Sequence, residues 1–276
     1  MVAIDDLIDE AGTMEPLPAS VVRLASVINS PKVDLNEVAD IVSYDQALTL
    51  RLLRAVNSAA VSGGTRVTRA VEAVFRLGTA RIVALAVAAS VRNSFQRDVS
   101  AYGLAEGRLW LHSVATAAVA EVMCEKSRVE LPQETFTAAL LHDVGKLIMG
   151  RHMSREDLQW IHRAQTEGGL STLDAERQIL NVHHGELGGI AAQRWNLPER
   201  VVIGIIHHHT PDDGFDLVCD GVCLANQIAR HLEGGGLVLP SPGCLERLEL
   251  NTAGVEALSR FARQRFAEIS ARYAAV

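Results

Sequence analysis

Apolar residues recur along this chain at intervals of three and four, from near one end to the other. That period belongs to helices, which return to the same face after about 3.6 residues, whereas a half-buried strand alternates. Leu35, Val38, Ile41 and Val42 form one stripe, and Leu48, Leu52, Leu53 and Val56 form the next. Val255, Leu258, Ala262, Phe266, Ile269 and Tyr273 line a last helix whose arginines face outward. Hydrophobic residues make up 48% of the chain, enough for a sizeable core, yet aromatics only 4%. Ala, Leu and Val carry the apolar weight, which favours tightly packed helices. Leu237-Val238-Leu239 is too short to read as a strand. The expected fold class is all-α.

Local signals divide these helices. Asp34 with Glu37 forms a capping pair, Asp45 and Thr79 precede apolar stretches, and Ser171 with Asp174 opens another helix. Pro132 and Pro198 each start one. Residues 1–15 read as a short acidic helix or arm, and Pro16-Leu17-Pro18 sets an extended lead-in. Ser62-Gly63-Gly64, Gly78, Gly168-Gly169, Thr210-Pro211-Asp212-Asp213-Gly214 and Gly234-Gly235-Gly236 are breaks. Five to six helices fill the first hundred residues, and Ser100 to Gly107 is the best boundary. The expected division is an N-terminal helical subdomain over 1–103 and a second over 104–276.

The formal charge of −7 excludes a whole-protein basic field for nucleic acid. The longest apolar stretch, Ile82 to Val91, has ten residues, against about 20 for a membrane span. The N-terminus lacks the basic start of a signal peptide, so a cytoplasmic location is expected. Cys219 and Cys223 stand at i,i+4, a spacing that could hold a metal, but they read as small buried residues of a reducing compartment, as do Cys124 and Cys244.

Chemistry enters where polar residues fall on apolar stripes. His112 shares a face with Ala115, Val119 and Val122; His184 with Leu187, Ala191 and Trp195; Asn226 with Val218, Val222 and Ala229. An inward Asn needs a buried partner. Between them, Leu140-Leu141-His142-Asp143-Val144-Gly145-Lys146 ends an apolar run with an imidazole beside a carboxylate. The pair can converge on one ion if the backbone turns, and Gly145 permits a turn. A further run, Val201 to Ile206, ends in His207-His208-His209. His183 and His207 read as flanking polar residues, His152, His162 and His231 as solvated, and Asn57-Ser58 as a helix-end hydrogen bond.

These residues, in this order, resemble the HD superfamily of metal-dependent phosphohydrolases. Glu15-Pro16-Leu17-Pro18, Tyr44-Asp45-Gln46-Ala47-Leu48-Thr49, Leu52-Leu53-Arg54-Ala55-Val56-Asn57-Ser58, Leu77-Gly78, His184-Gly185-Glu186-Leu187-Gly188, Trp195-Asn196-Leu197-Pro198 and His208-His209-Thr210-Pro211 sharpen the resemblance to the HDOD domain, an HD-related output domain of bacterial signalling proteins. The resemblance covers about residues 14 to 230. It implies an N-terminal helical subdomain packed on an HD-like one, and regulation more than catalysis, in chemotaxis, motility, biofilm formation or cyclic-dinucleotide signalling. By similarity to the HD-GYP phosphodiesterases, the metal-ligand positions are His112, His142, Asp143, His184, His208 and His209, with Lys146 matching the lysine after the pair. Three positions depart. The closing carboxylate is Asn226, a weak ligand; a glutamate one turn before the first histidine is Arg108, which brings positive charge; and the Gly-Tyr-Pro motif is absent.

Five imidazoles and a carboxylate exceed the roughly four ligands of one tetrahedral ion. They would suit two ions about 3.5–4 Å apart with Asp143 between them. Imidazole-rich ligation favours iron, zinc, nickel or copper over magnesium; one or two divalent ions, iron, zinc, nickel or manganese, are the expected cofactors. The alternative is hydrogen bonding among buried polar groups, with no metal. The leading expectation is a regulatory protein that binds a signalling partner or a ligand and retains a metal site. The alternative is a metal-dependent phosphohydrolase of nucleotides or cyclic dinucleotides, in which Asp143 and Lys146 would be catalytic; a third is a sensor that binds without turnover. No membrane or nucleic-acid partner is expected, and the C-terminal amphipathic helix offers a face for a homodimer.

Overall fold

The structure, a computed structural model, describes residues 4–13, 18–28, 33–59, 67–79, 81–83, 85–87, 90 and 107–273. Among them there are helices and no strands, as the three-to-four period requires. Pro16 and Leu17, the Ser62-Gly63-Gly64 loop and residues 100–106 of the expected boundary lie outside the described residues, as do parts of the helix expected after Thr79.

The first helices are α1 (Ile4–Thr13), α2 (Ala19–Ile28), α3 (Leu35–Tyr44), α4 (Gln46–Ala59) and α5 (Ala70–Leu77). Their ends follow the caps. Asp34 accepts from the Asn36 N–H, and Asp45 accepts from the Leu48 N–H at 2.9 Å to start α4. Asn57 pairs in both directions with the backbone of Val67 at 2.8 Å, so its amide closes the connection after α4. Gly78 ends α5 at φ +74°, a conformation that glycine adopts without strain. Helices α2 to α5 pack on one another, whereas α1 docks elsewhere.

The second set is α6 (Arg108–Lys126), α7 (Glu134–Leu141), α8 (Gly145–His152), α9 (Arg155–Thr166), α10 (Thr172–Leu180), α11 (His184–Arg194), α12 (Glu199–Ile206), the single turn α13 (Pro211–Gly214), α14 (Leu217–Leu232), α15 (Pro242–Arg247) and α16 (Thr252–Tyr273). Helix α6 is the axis, with α7, α14 and α16 packed around it. Its Ala115, Ala117, Ala118 and Ala120 are all buried, so α6 is covered on several sides rather than along one stripe. Small side chains allow that close approach. On α16, Val255, Leu258 and Ala262 are buried as expected, Arg260 and Arg263 are exposed, and Arg265 reaches Glu121 at 3.1 Å; the side chains of Ile269 and Tyr273 lie outside the described ones. Helix α1 buries Leu7 and Ala11 completely and packs against α8 and α11. All four cysteines are outside disulfides, Cys219, Cys223 and Cys244 buried and Cys124 exposed.

Candidate metal centre

His142 and Asp143 occupy the tight link between α7 and α8. The Val144 N–H donates to Leu141 and the Lys146 N–H to Asp143, i→i+3 bonds that wind this link as a 3₁₀-like turn. The link keeps right-handed backbone at His142 (φ −53°) and Val144 (φ −58°), and Gly145 has no positive φ. The turn expected at Gly145 is therefore made without it. Glycine is needed for another reason: a Cβ there would stand 1.8 Å from the His184 carbonyl oxygen and 2.8 Å from the Gly188 nitrogen. Helices α8 and α11 touch backbone to backbone, and this contact sets His184 against Asp143.

The structure gathers the six residues as two groups of three, His184, His208 and His209 in one and His112, His142 and Asp143 in the other, and Asp143 joins the two. The two oxygens of Asp143 face opposite ways within this cluster. Oδ1 lies 3.3 Å from His184 Nε2 and 3.8 Å from His208 Nε2. Oδ2 lies 3.4 Å from His142 Nε2 and 4.0 Å from His112 Nε2. Lys146 Nζ donates to Oδ2 at 2.7 Å.

Four of the imidazoles are oriented from behind. Nδ1 of His142 faces the Ala139 carbonyl at 2.8 Å, and Nδ1 of His208 the Ile205 carbonyl at 2.7 Å. Nδ1 of His184 faces Glu176 Oε2 at 2.6 Å, and Nδ1 of His112 faces Glu233 Oε2 at 3.0 Å. Each oxygen can only accept, so each Nδ1 carries a proton, and a ring that holds no second proton presents its Nε2 lone pair inward. The same Glu176 oxygen accepts from the His184 backbone N–H at 2.9 Å.

His184 Nε2 and His208 Nε2 approach to 3.2 Å, and His209 Nε2 lies 3.2 Å from the same His184 atom. His142 Nε2 and Asp143 Oδ1 are buried without a hydrogen bond. Burial first, then the neighbouring imidazoles, pushes His208 and His209 well below the usual histidine range; burial also lowers His142, against the pull of Asp143. Burial acts to raise Asp143, but His142 and Lys146 outweigh it and hold the carboxyl well below its ordinary value.

Orphaned lone pairs converging on one point are what a cation requires. Donors about 2.1 Å from a tetrahedral ion stand about 3.4 Å apart, close to the 3.2, 3.3 and 3.8 Å separations among His184, His208 and Asp143 Oδ1. The residues fit a divalent transition metal.

Two carboxylates here escape a reading by motif. Glu176 is fully buried on α10 and Glu233 caps the end of α14. Glu176 had a signal, since Leu173, Glu176 and Leu180 share one buried stripe; Glu233, at a helix end beside three glycines, had none. Asn226 finds its expected partner in His112 Nε2 at 3.0 Å. Arg108 is exposed in the first turn of α6 and makes no hydrogen bond or ion pair with the cluster among the described residues; the positive charge at the cluster is that of Lys146. His183 is buried but drawn aside, capping α11 by accepting from the Gly185 N–H at 3.1 Å.

A model of the HDOD domain matches residues 14–211, more than half the chain and every imidazole of the cluster. The chain belongs to the HDOD domain family. The HDOD match stops short of Asn226 and Glu233 and begins after α1, so these parts lie outside it. An uncharacterized protein of Treponema pallidum (strain Nichols) is 28% identical over 237 residues, 84% of this chain. The chain spans 44% of that relative's length. Among solved structures, a provisionally named phosphohydrolase from Shewanella amazonensis SB2B superposes with TM-score 0.72 at 23% identity, covering 96% of this chain and 97% of its own. A provisionally named signal transduction protein from Marinobacter aquaeolei VT8 gives TM-score 0.69 at 18% identity, over 99% of this chain and 61% of its own. At these identities the two share the HDOD fold with this chain, and their named activities remain their own. No helix among the described residues is long and apolar enough to cross a membrane.

Proposed function

We propose that this HDOD protein is a regulatory module of a bacterial signalling system whose buried histidine cluster binds a divalent metal ion, and that it works through binding a protein partner or a ligand rather than by turnover. One observation carries the reading. The cluster has the orphaned donors of a metal site, yet His142, Asp143, His184 and His208 are each no more than 1% exposed. An ion can enter such a site with small local motion; a phosphodiester of nucleotide size needs an open face. A divalent ion held there would supply Lewis acidity and fasten together the chain segments that carry its ligands. In this reading residues 1–103 form the helical subdomain that a partner meets, and residues 104–276 the HD-like subdomain that carries the metal.

The phosphohydrolase reading keeps one observation in its favour, the charged pair of Lys146 and Asp143 at the centre of the cluster. Thermal unfolding with manganese or zinc added and removed, run beside hydrolysis of bis(p-nitrophenyl) phosphate and of cyclic dinucleotides, decides between them. The expected result is metal-dependent stabilisation, lost in Asp143→Ala, without turnover that depends on Asp143; saturation to 100 times Kd should add about 2.7 kcal/mol. Turnover abolished by Asp143→Ala would overturn the non-catalytic reading. No response to any divalent ion would make the cluster a hydrogen-bonded core.

A further inference from the structure

The two faces of Asp143 are not equivalent. At Oδ1 the neighbours are His184 Nε2 at 3.3 Å and His208 Nε2 at 3.8 Å, on rings whose Nδ1 atoms face acceptors behind them. His209 Nε2 joins them, 3.2 Å from His184 Nε2. Oδ1 itself has no hydrogen-bond partner. At Oδ2 the place is taken. The Lys146 ammonium lies 2.7 Å away, and the side chain of Lys146 is only 7% exposed. It brings to that oxygen the positive charge that an ion would bring, and it repels a dication set beside it. His112, the outermost imidazole of this half, has Nε2 3.0 Å from Asn226 Oδ1 and Nδ1 3.0 Å from Glu233. Either orientation of the Asn226 amide engages that nitrogen, and a neutral amide adds no charge to hold a second ion.

We propose that the centre is mononuclear: one divalent ion bound by His184, His208, His209 and Oδ1 of Asp143, with Lys146 and Asn226 excluding a second ion from Oδ2 and His112. His142, whose ring lies 5.2 Å from that of His112 and 4.9 Å from that of His208, stands between the halves with its lone pair directed inward. The proposal rests on the metal-binding reading above and narrows it from one or two ions to one.

The test uses the full chain purified without chelator or histidine tag, loaded with manganese and desalted. Elemental analysis and low-temperature electron paramagnetic resonance read stoichiometry and spin coupling together. The wild type should hold about one equivalent and give the spectrum of an isolated ion. The double variant Lys146→Met, Asn226→Asp should rise toward two equivalents, with the signal of a coupled pair. Two equivalents or a coupled pair in the wild type would overturn the proposal while leaving metal binding intact. A folded double variant that stays at one equivalent would overturn the role given to Lys146 and Asn226. No ion in the wild type would overturn both this proposal and the metal reading. Should the double variant fail to fold, the wild-type stoichiometry and spectrum decide alone.

Discussion

Replacing Glu176 tests the support behind the cluster with no ligand touched. Its side chain is fully buried, and one oxygen, Oε2, accepts both the His184 backbone N–H at 2.9 Å and the Nδ1–H at 2.6 Å. Glu176→Ala leaves two buried donors unmet, each worth about 1–3 kcal/mol. Part of that is recovered, because a buried carboxylate no longer has to be kept from water. A net loss of about 3 kcal/mol follows, or a Tm lower by roughly 6–12 °C for a chain of this length. Glu176→Gln is the informative control. Both bonds end on a single oxygen, so an amide oxygen in the same place accepts both while the charge beside His184 is removed; the drop should be about 1 kcal/mol. Urea unfolding followed by circular dichroism, in chelator so that no ion contributes, measures both variants. In a parallel metal titration, Glu176→Ala should bind 10–100-fold more weakly, roughly the effect of losing an outer partner of a ligand histidine. Equal stability of Glu176→Ala and wild type, within about 0.5 kcal/mol, would refute the reasoning, as would a Gln variant as damaged as the Ala variant.

Three further outcomes follow from the same geometry. The metal-free protein should lose stability as pH falls from 7 to 5: His142, His183, His208 and His209 are held neutral in the fold, His183 pushed down to about 4, while the unfolded chain takes those protons near pH 6.5. Their contribution is complete above pH 6.5 and is lost below it, with up to four protons taken up on unfolding, so a flat urea midpoint from pH 7 to 5 would contradict it; Glu176 and Asp143, both lowered, act only below the ordinary carboxylate range. Gly145→Ala should cost about 3 kcal/mol or prevent folding, since backbone atoms of α11 stand in the way of the Cβ; soluble yield and urea midpoint report it. Asn57→Ala, which breaks both bonds to Val67, should cost about 1–2 kcal/mol without changing metal content.

The helices and their caps were legible because they are local properties of the chain: Asp45 before Leu48 and Ser171 before Asp174 act within one turn. His112 and His184 were legible because each falls on an apolar stripe, and His142, His208 and His209 because they end apolar runs in an order that resembles a known family. What lies behind them was harder to read. Glu176 meets His184 only because α10 folds back, and Glu233 meets His112 across the whole second half. Gly145 was assigned to a turn, yet it serves the contact of two helices far apart in sequence, which no local pattern encodes. The central position of α6 was similarly hidden: its stripe of Ala115, Val119 and Val122 was visible, but its burial on other sides depends on which helices arrive.

The bond between His112 and Glu233 joins residues 121 positions apart, and that between His112 and Asn226 spans 114. Contacts of such span close late, after the nearer ones have shortened the loop between them. On the ribosome, where residues emerge in order, every imidazole of the cluster is made before the helix that fixes His112 in place. A chain cut anywhere between His209 and Glu233 thus carries every imidazole of the cluster but lacks the carboxylate that orients His112.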